Sequence, residues 1–204
     1  MITVFENPWF EIDDPEDEFG FDAAELAFAT ALRQQAGSWD VPHAYSWVGR
    51  TEDESSLLAF VELSDEHRRL SLIDIGVHLV GSSVRGDRLH NQLYFLPDRP
   101  TSLAMEAVGS PQELAERTAT WFENLLRKPI VRHEWEHHGQ VYASRYLFAD
   151  TGEGLVQSYH QTLAPSEQAE ALTRAGHVHG RGWIQTSGLG RPDRVVDIRG
   201  EATA

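Results

Sequence analysis

Between residues 44 and 108 apolar and polar side chains alternate, with Ile73, Ile75, Val77 and Leu79 on one side of the chain and Asp74, Gly76 and His78 on the other. A period of two is the mark of strands with one buried face. Strands are predicted over 44–50, 57–63, 70–80, 89–96 and 102–108, separated by breaks such as Arg85-Gly86-Asp87 and Pro97-Asp98-Arg99-Pro100. The links are short, which favours antiparallel pairing, because parallel neighbours need long crossovers.

Helical spacing appears on both sides of this block. Asp22 is placed to cap a helix, Glu25 to complete a capping box and Phe21 to staple the first turn; Leu26, Phe28, Ala29 and Leu32 supply the apolar side, and Gly37 ends it. A second start signal, Ser110-Pro111-Gln112-Glu113, opens a helix over 111–127 whose Leu114, Thr118, Trp121, Phe122 and Leu125 share one face. Strands over 130–137, 140–148 and 155–163 follow, turning at His138-Gly139 and across 150–154, and a short helix over 165–175 stops at Gly176. The pattern predicts a single α+β domain over 1–204, a mainly antiparallel sheet covered by the central amphipathic helix. The run Glu11 to Glu18 marks residues 1–20 as an acidic arm, and residues 176–204, rich in Gly, read as a weakly structured tail with one strand at Trp183.

Charge and cysteine content narrow the function classes. The 204 residues carry 32 acidic against 17 basic side chains, a net charge of -15, and no Cys. Such a surface repels phosphates and anionic lipid, so nucleic acid and membranes are not expected partners. Disulfides, thiolate zinc sites and cysteine nucleophiles are excluded by composition. The first basic residue is Arg33, so no positively charged targeting start is read, and a cytoplasmic location is expected.

Four motifs carry candidate chemistry. His133-Glu134-Trp135-Glu136-His137 satisfies the zinc-peptidase pattern HExxH, a match expected only about 0.04 times by chance in a chain of this composition. The pattern needs a helix to bring both imidazoles to one metal. Here Pro129 precedes it and a hairpin surrounds it, and on a strand His133 and His137 stand about 13 Å apart. A zinc-dependent hydrolase using His133 and His137 as ligands and Glu134 as base is therefore an alternative, not the first reading. Asp150-Thr151-Gly152 resembles the turn of aspartic proteases but reads as turn chemistry between strands. His177-Val178-His179 puts two imidazoles on one strand face, an arrangement too common in a His-rich chain to nominate a metal. If His138-Gly139 is a two-residue turn, His133 pairs with Ser144, Trp135 with Tyr142 and Val131 with Tyr146. That register makes His133, Trp135, Tyr142 and Tyr146 a candidate binding face, or the lining of a small-ligand pocket; a slip of one residue would invert it.

The order helix, strand block, helix, strand block, helix resembles that of small acidic α+β chaperones of bacterial secretion systems and of toxin-immunity proteins, although the five-strand first block is longer than the chaperone pattern. The resemblance implies an accessory protein that works by binding another protein, without catalysis and without a cofactor. The acidic surface points to a basic partner whose approach it would steer, and the unpaired edges of such a sheet make a homodimer a second expectation.

Overall fold

The computed structural model describes residues 9–12, 20–51, 55–65, 67–90, 93–180 and 182–200. The fold is α+β with mostly antiparallel sheets and, among the described residues, three α-helices. No described helix is long and apolar enough to cross a membrane. The chain divides into two compact units, 1–126 and 127–204. The boundary falls between a helix and the next strand with no Gly-, Ser- or Pro-rich linker, so composition carries no trace of it.

The first unit is built on a six-stranded sheet in simple chain order: β1 (Glu11–Ile12), β2 (Ala44–Arg50), β3 (Leu57–Asp65), β4 (Leu70–Val80), β5 (Ser83–Arg88) and β6 (Met105–Val108). All neighbours pair antiparallel except β1, which lies parallel to β2. Two helices, α1 (Ala23–Ala36) and α2 (Pro111–Leu126), pack on each other and, through α2, on β5 and β6. Both begin at the expected caps. Asp22 and Glu25 form a complete capping box, and the Ser110 amide donates to Glu113 Oε2 at 2.8 Å. The helices cover one face of the sheet, onto which Val48, Ala59, Val77 and Gly86 project from successive strands.

Two expectations change in this unit. The strand expected over 89–96 is displaced to β5, which runs through Arg85-Gly86-Asp87. Gly86 is there for close packing, not for a turn: a Cβ would lie 2.7 Å from Val77 Cγ2, 2.8 Å from Met105 Cγ and 3.2 Å from the Trp121 ring. Residues 93–96 instead lay Tyr94 against Trp47 and Phe60, with ring centroids 5.3 and 5.1 Å apart. The acidic arm is interrupted by an anchor: Trp9 and Phe10 are buried and Phe10 sits 5.3 Å from Phe122. The Phe10 amide donates to Ser46 Oγ at 2.9 Å. Two adjacent aromatic side chains, each contributing roughly 2–3 kcal/mol on burial, outweigh the charge that follows them. Residues 1–8 and 13–19 of that arm lie outside the described residues.

The second unit holds a four-stranded antiparallel sheet in the order β12 (Arg194–Arg199), β7 (Ile130–His137), β8 (Gln140–Phe148), β9 (Gly154–Tyr159). A short helix, α3 (Gln168–Arg174), and the small hairpin of β10 (Val178–His179) and β11 (Trp183–Ile184) complete it. The tail is thus ordered where weak structure was expected. β12 pairs with β7 from Arg194 opposite Glu134 to Arg199 opposite Ile130, so backbone pairing and a buried carboxylate hold a segment that has few large apolar residues.

Candidate functional site

The hairpin that carries the motif residues turns at His138 and Gly139, with φ of +50° and +74°. Both are left-handed, as a two-residue primed turn requires, and the first pairs, His137 with Gln140 and Glu136 with Val141, have the expected register. A β-bulge then intervenes. Trp135 pairs with Ala143, leaving Tyr142 as the extra residue, and every later pair is shifted by one: His133 with Arg145, Arg132 with Tyr146. Beyond the bulge the face is inverted.

The four residues expected on one face therefore part. Trp135 and Tyr142 come together in a buried cluster with Ala143, covered by Tyr159, Ala164 and Leu189. His133 stays beside Trp135, ring centroids 6.3 Å apart, and burial followed by the neighbouring Arg145 lowers its pKa. Tyr146, 1% exposed, belongs with Arg132, whose Nη1 donates to its hydroxyl at 3.1 Å. Of the four, Trp135, Tyr142 and Tyr146 are buried and His133 is half-buried.

The HExxH stretch is extended: residues 133–137 are the last five of β7, so the imidazoles stand roughly 13 Å apart. Glu134 is fully buried and accepts from Arg132 Nε at 2.7 Å and Arg194 Nε at 2.7 Å. Burial alone would raise its pKa, but the hydrogen bonds from Arg194 and Arg132 prevail and hold it below the usual range. A carboxylate held as the anion between two guanidinium groups has its proton affinity lowered, which weakens it as a base toward water. Asp150 likewise pairs with Lys128 in the turn after β8.

The first unit presents a different kind of surface on the face opposite its helices. Across β2, β3 and β4 the row Tyr45, Glu62, Asp74 stands side by side in register. Glu62 and Asp74 face each other directly, and burial raises the pKa of both, the charge of Asp74 adding to the effect on Glu62. Asp74 accepts from Ser71 Oγ at 3.1 Å, and among the described residues no Lys or Arg forms an ion pair with either carboxylate. The same face carries exposed Tyr45, Val80 and Val108, with Leu93 and Phe95 exposed on the adjoining loop. His78 pins that loop: its Nε2 lies 2.9 Å from the Tyr94 carbonyl and its Nδ1 3.0 Å from Ser56 Oγ. A carbonyl can only accept, so the proton sits on Nε2 and Ser56 donates to Nδ1.

A groove of about 590 Å³ follows the outer edge of β6 along α2, lined by Met105, Glu106, Glu113, Glu116, Arg117 and Trp121 among others. None of these surfaces was singled out from sequence. The alternation Val61-Glu62-Leu63 and Ile73-Asp74-Ile75 places both carboxylates on the polar face, but only the strand register brings them opposite each other. Comparison with known proteins returns no match: no family model, no curated protein and no solved structure is similar to this chain.

Proposed function

We propose that this protein is a non-catalytic protein-interaction module that takes a basic partner through the helix-free sheet face of its first unit. The observation that carries this reading is the Glu62–Asp74 pair. Two carboxylates directly opposed across strands repel each other, and here partial burial strengthens the repulsion while no Lys or Arg among the described residues relieves it. A Lys or Arg side chain from a partner would do so, gaining a charge-assisted hydrogen bond to each carboxylate. Exposed Tyr45, paired with Glu62, supplies apolar contact beside it. The net charge of -15 adds long-range attraction for the same class of partner. An immunity- or chaperone-like accessory role is consistent with this chemistry.

The test compares the full chain with its Glu62→Gln/Asp74→Asn double variant as bait. Any captured protein is identified, purified and titrated against both. A basic protein whose Kd weakens at least tenfold with the double variant supports the reading. Finding no basic partner, or one held equally by both baits, overturns it.

A further inference from the structure

A sheet ends in a strand whose outer N–H and C=O groups have no ladder partner, and such an edge pairs with any extended segment unless something blocks it. In the first unit this strand is β6, and among the described residues no strand lies on its far side. Lys, Pro and a bulge, three of the usual blocking devices, are missing from it, although it is four residues long and carries Glu106. The sequence Met-Glu-Ala-Val contains neither Lys nor Pro, its register with β5 runs without a bulge from Met105 to Val108, and Val108 is 71% exposed. The opposite edge is different in kind, since β1 is only two residues long.

The groove beside β6 gives an added strand somewhere to put its side chains. Residues of a strand point alternately to the two faces of a sheet, so one set would enter the groove of about 590 Å³ against Met105 and Trp121, while the other would lie over the face that carries Val108 and Val80. Glu106, Glu113 and Glu116 line the groove with Arg117, and Arg85 pairs with Glu106 at 3.0 Å across β5 and β6, which leaves one acid in excess in addition to the net charge of -15. The excess of acid selects the sign of the incoming chain.

We infer that β6 accepts an extended, basic peptide segment of the partner by strand addition, with main-chain hydrogen bonds to β6 and cationic side chains meeting Glu116 in the groove. The inference rests on the basic-partner reading and adds the mode and place of attachment. Main-chain pairing would supply affinity, and the groove specificity, as in other cases of β-augmentation.

The probe is a fluorescein-labelled nonapeptide of alternating Lys and Val, titrated into the full chain by anisotropy. Two further versions carry N-methyl groups on every second residue, one in each phase, which removes backbone donors from one edge and leaves the charge unchanged. The expected result is saturable binding of the parent, a loss of at least tenfold for one methylated phase only, and slowed hydrogen exchange at β6 amides. Glu116→Lys, at an exposed position, should weaken the parent by a similar factor. Equal binding of all three peptides overturns strand addition while leaving the basic-partner reading intact. So does a stable dimer of the free chain with β6 already protected, since the edge would then serve a second copy. Absence of saturable binding overturns the inference as well. Strand addition by the peptide together with a captured partner indifferent to Glu62 and Asp74 would instead sink the face and keep the edge.

Discussion

Glu62 and Asp74 differ from Glu134 in one respect that decides their behaviour, the presence of a counter-charge. Each of the first two has a folded pKa above its ordinary value, so the native state holds those protons more tightly than the unfolded chain. The resulting penalty is full above the raised values and disappears as pH falls to the normal carboxylate range, so this pair makes the protein more stable on mild acidification. Denaturant unfolding at pH 7 and about pH 5 should show that gain. Asp74→Asn should remove most of it and stabilise the protein at neutral pH by about 0.2–1 kcal/mol, the size of a relieved like-charge pair across strands. A wild-type stability that falls between those two pH values, with no difference from the variant, would contradict the assignment. Groups with lowered pKa, such as Glu134 and Asp150, act in the opposite sense at lower pH, and the variant difference separates the two contributions.

At the level of elements, Glu134 is the clamp between β7 and β12. Removing it as Glu134→Ala takes an ion pair from the Arg132 guanidinium, 11% exposed, which keeps its bond to the Tyr146 hydroxyl, and should cost about 3 kcal/mol, the lower end for a broken buried pair. Arg194 is 55% exposed, so Arg194→Ala should cost about 1 kcal/mol or less. Thermal or denaturant melts of the two variants check this ranking, and equal losses would show that the guanidinium groups share the clamp evenly. The elements most legible in the sequence were those with local signals: the capping boxes at Asp22 and Ser110, the turn at His138-Gly139, and the strands 44–50, 70–80, 130–137 and 140–148. Elements whose cause is tertiary were not. Gly86 resembles a turn residue until Trp121 is seen above it, β12 has no apolar period to announce it, and the bulge at Tyr142 leaves no local mark yet moves Tyr146 to the other face. Of the candidate site, His133, Trp135 and Tyr142 stay together, while Tyr146 is lost from the face because it lies beyond the bulge.

For the whole molecule, the charge balance was legible from composition alone, whereas the division into two units was not, because Leu126 and Arg127 join them without any change in residue type. A surface of net charge -15 raises the rate of encounter with a cationic protein far more than it slows its departure. Stopped-flow association with the identified partner should therefore slow roughly tenfold or more between low and high salt, with dissociation changing less. An association rate insensitive to salt would count against electrostatic steering.

The seat of Phe10 against Phe122 has a consequence for biosynthesis. Trp39, which packs on both Trp9 and Phe10, is made soon after them, but Phe122 lies 112 positions beyond Phe10, so the first unit cannot complete its interior until α2 has been made. Throughout that interval the aromatic cluster lacks its closing ring, and the run of carboxylates from Glu11 to Glu18 favours keeping neighbouring nascent chains apart by mutual repulsion until translation catches up.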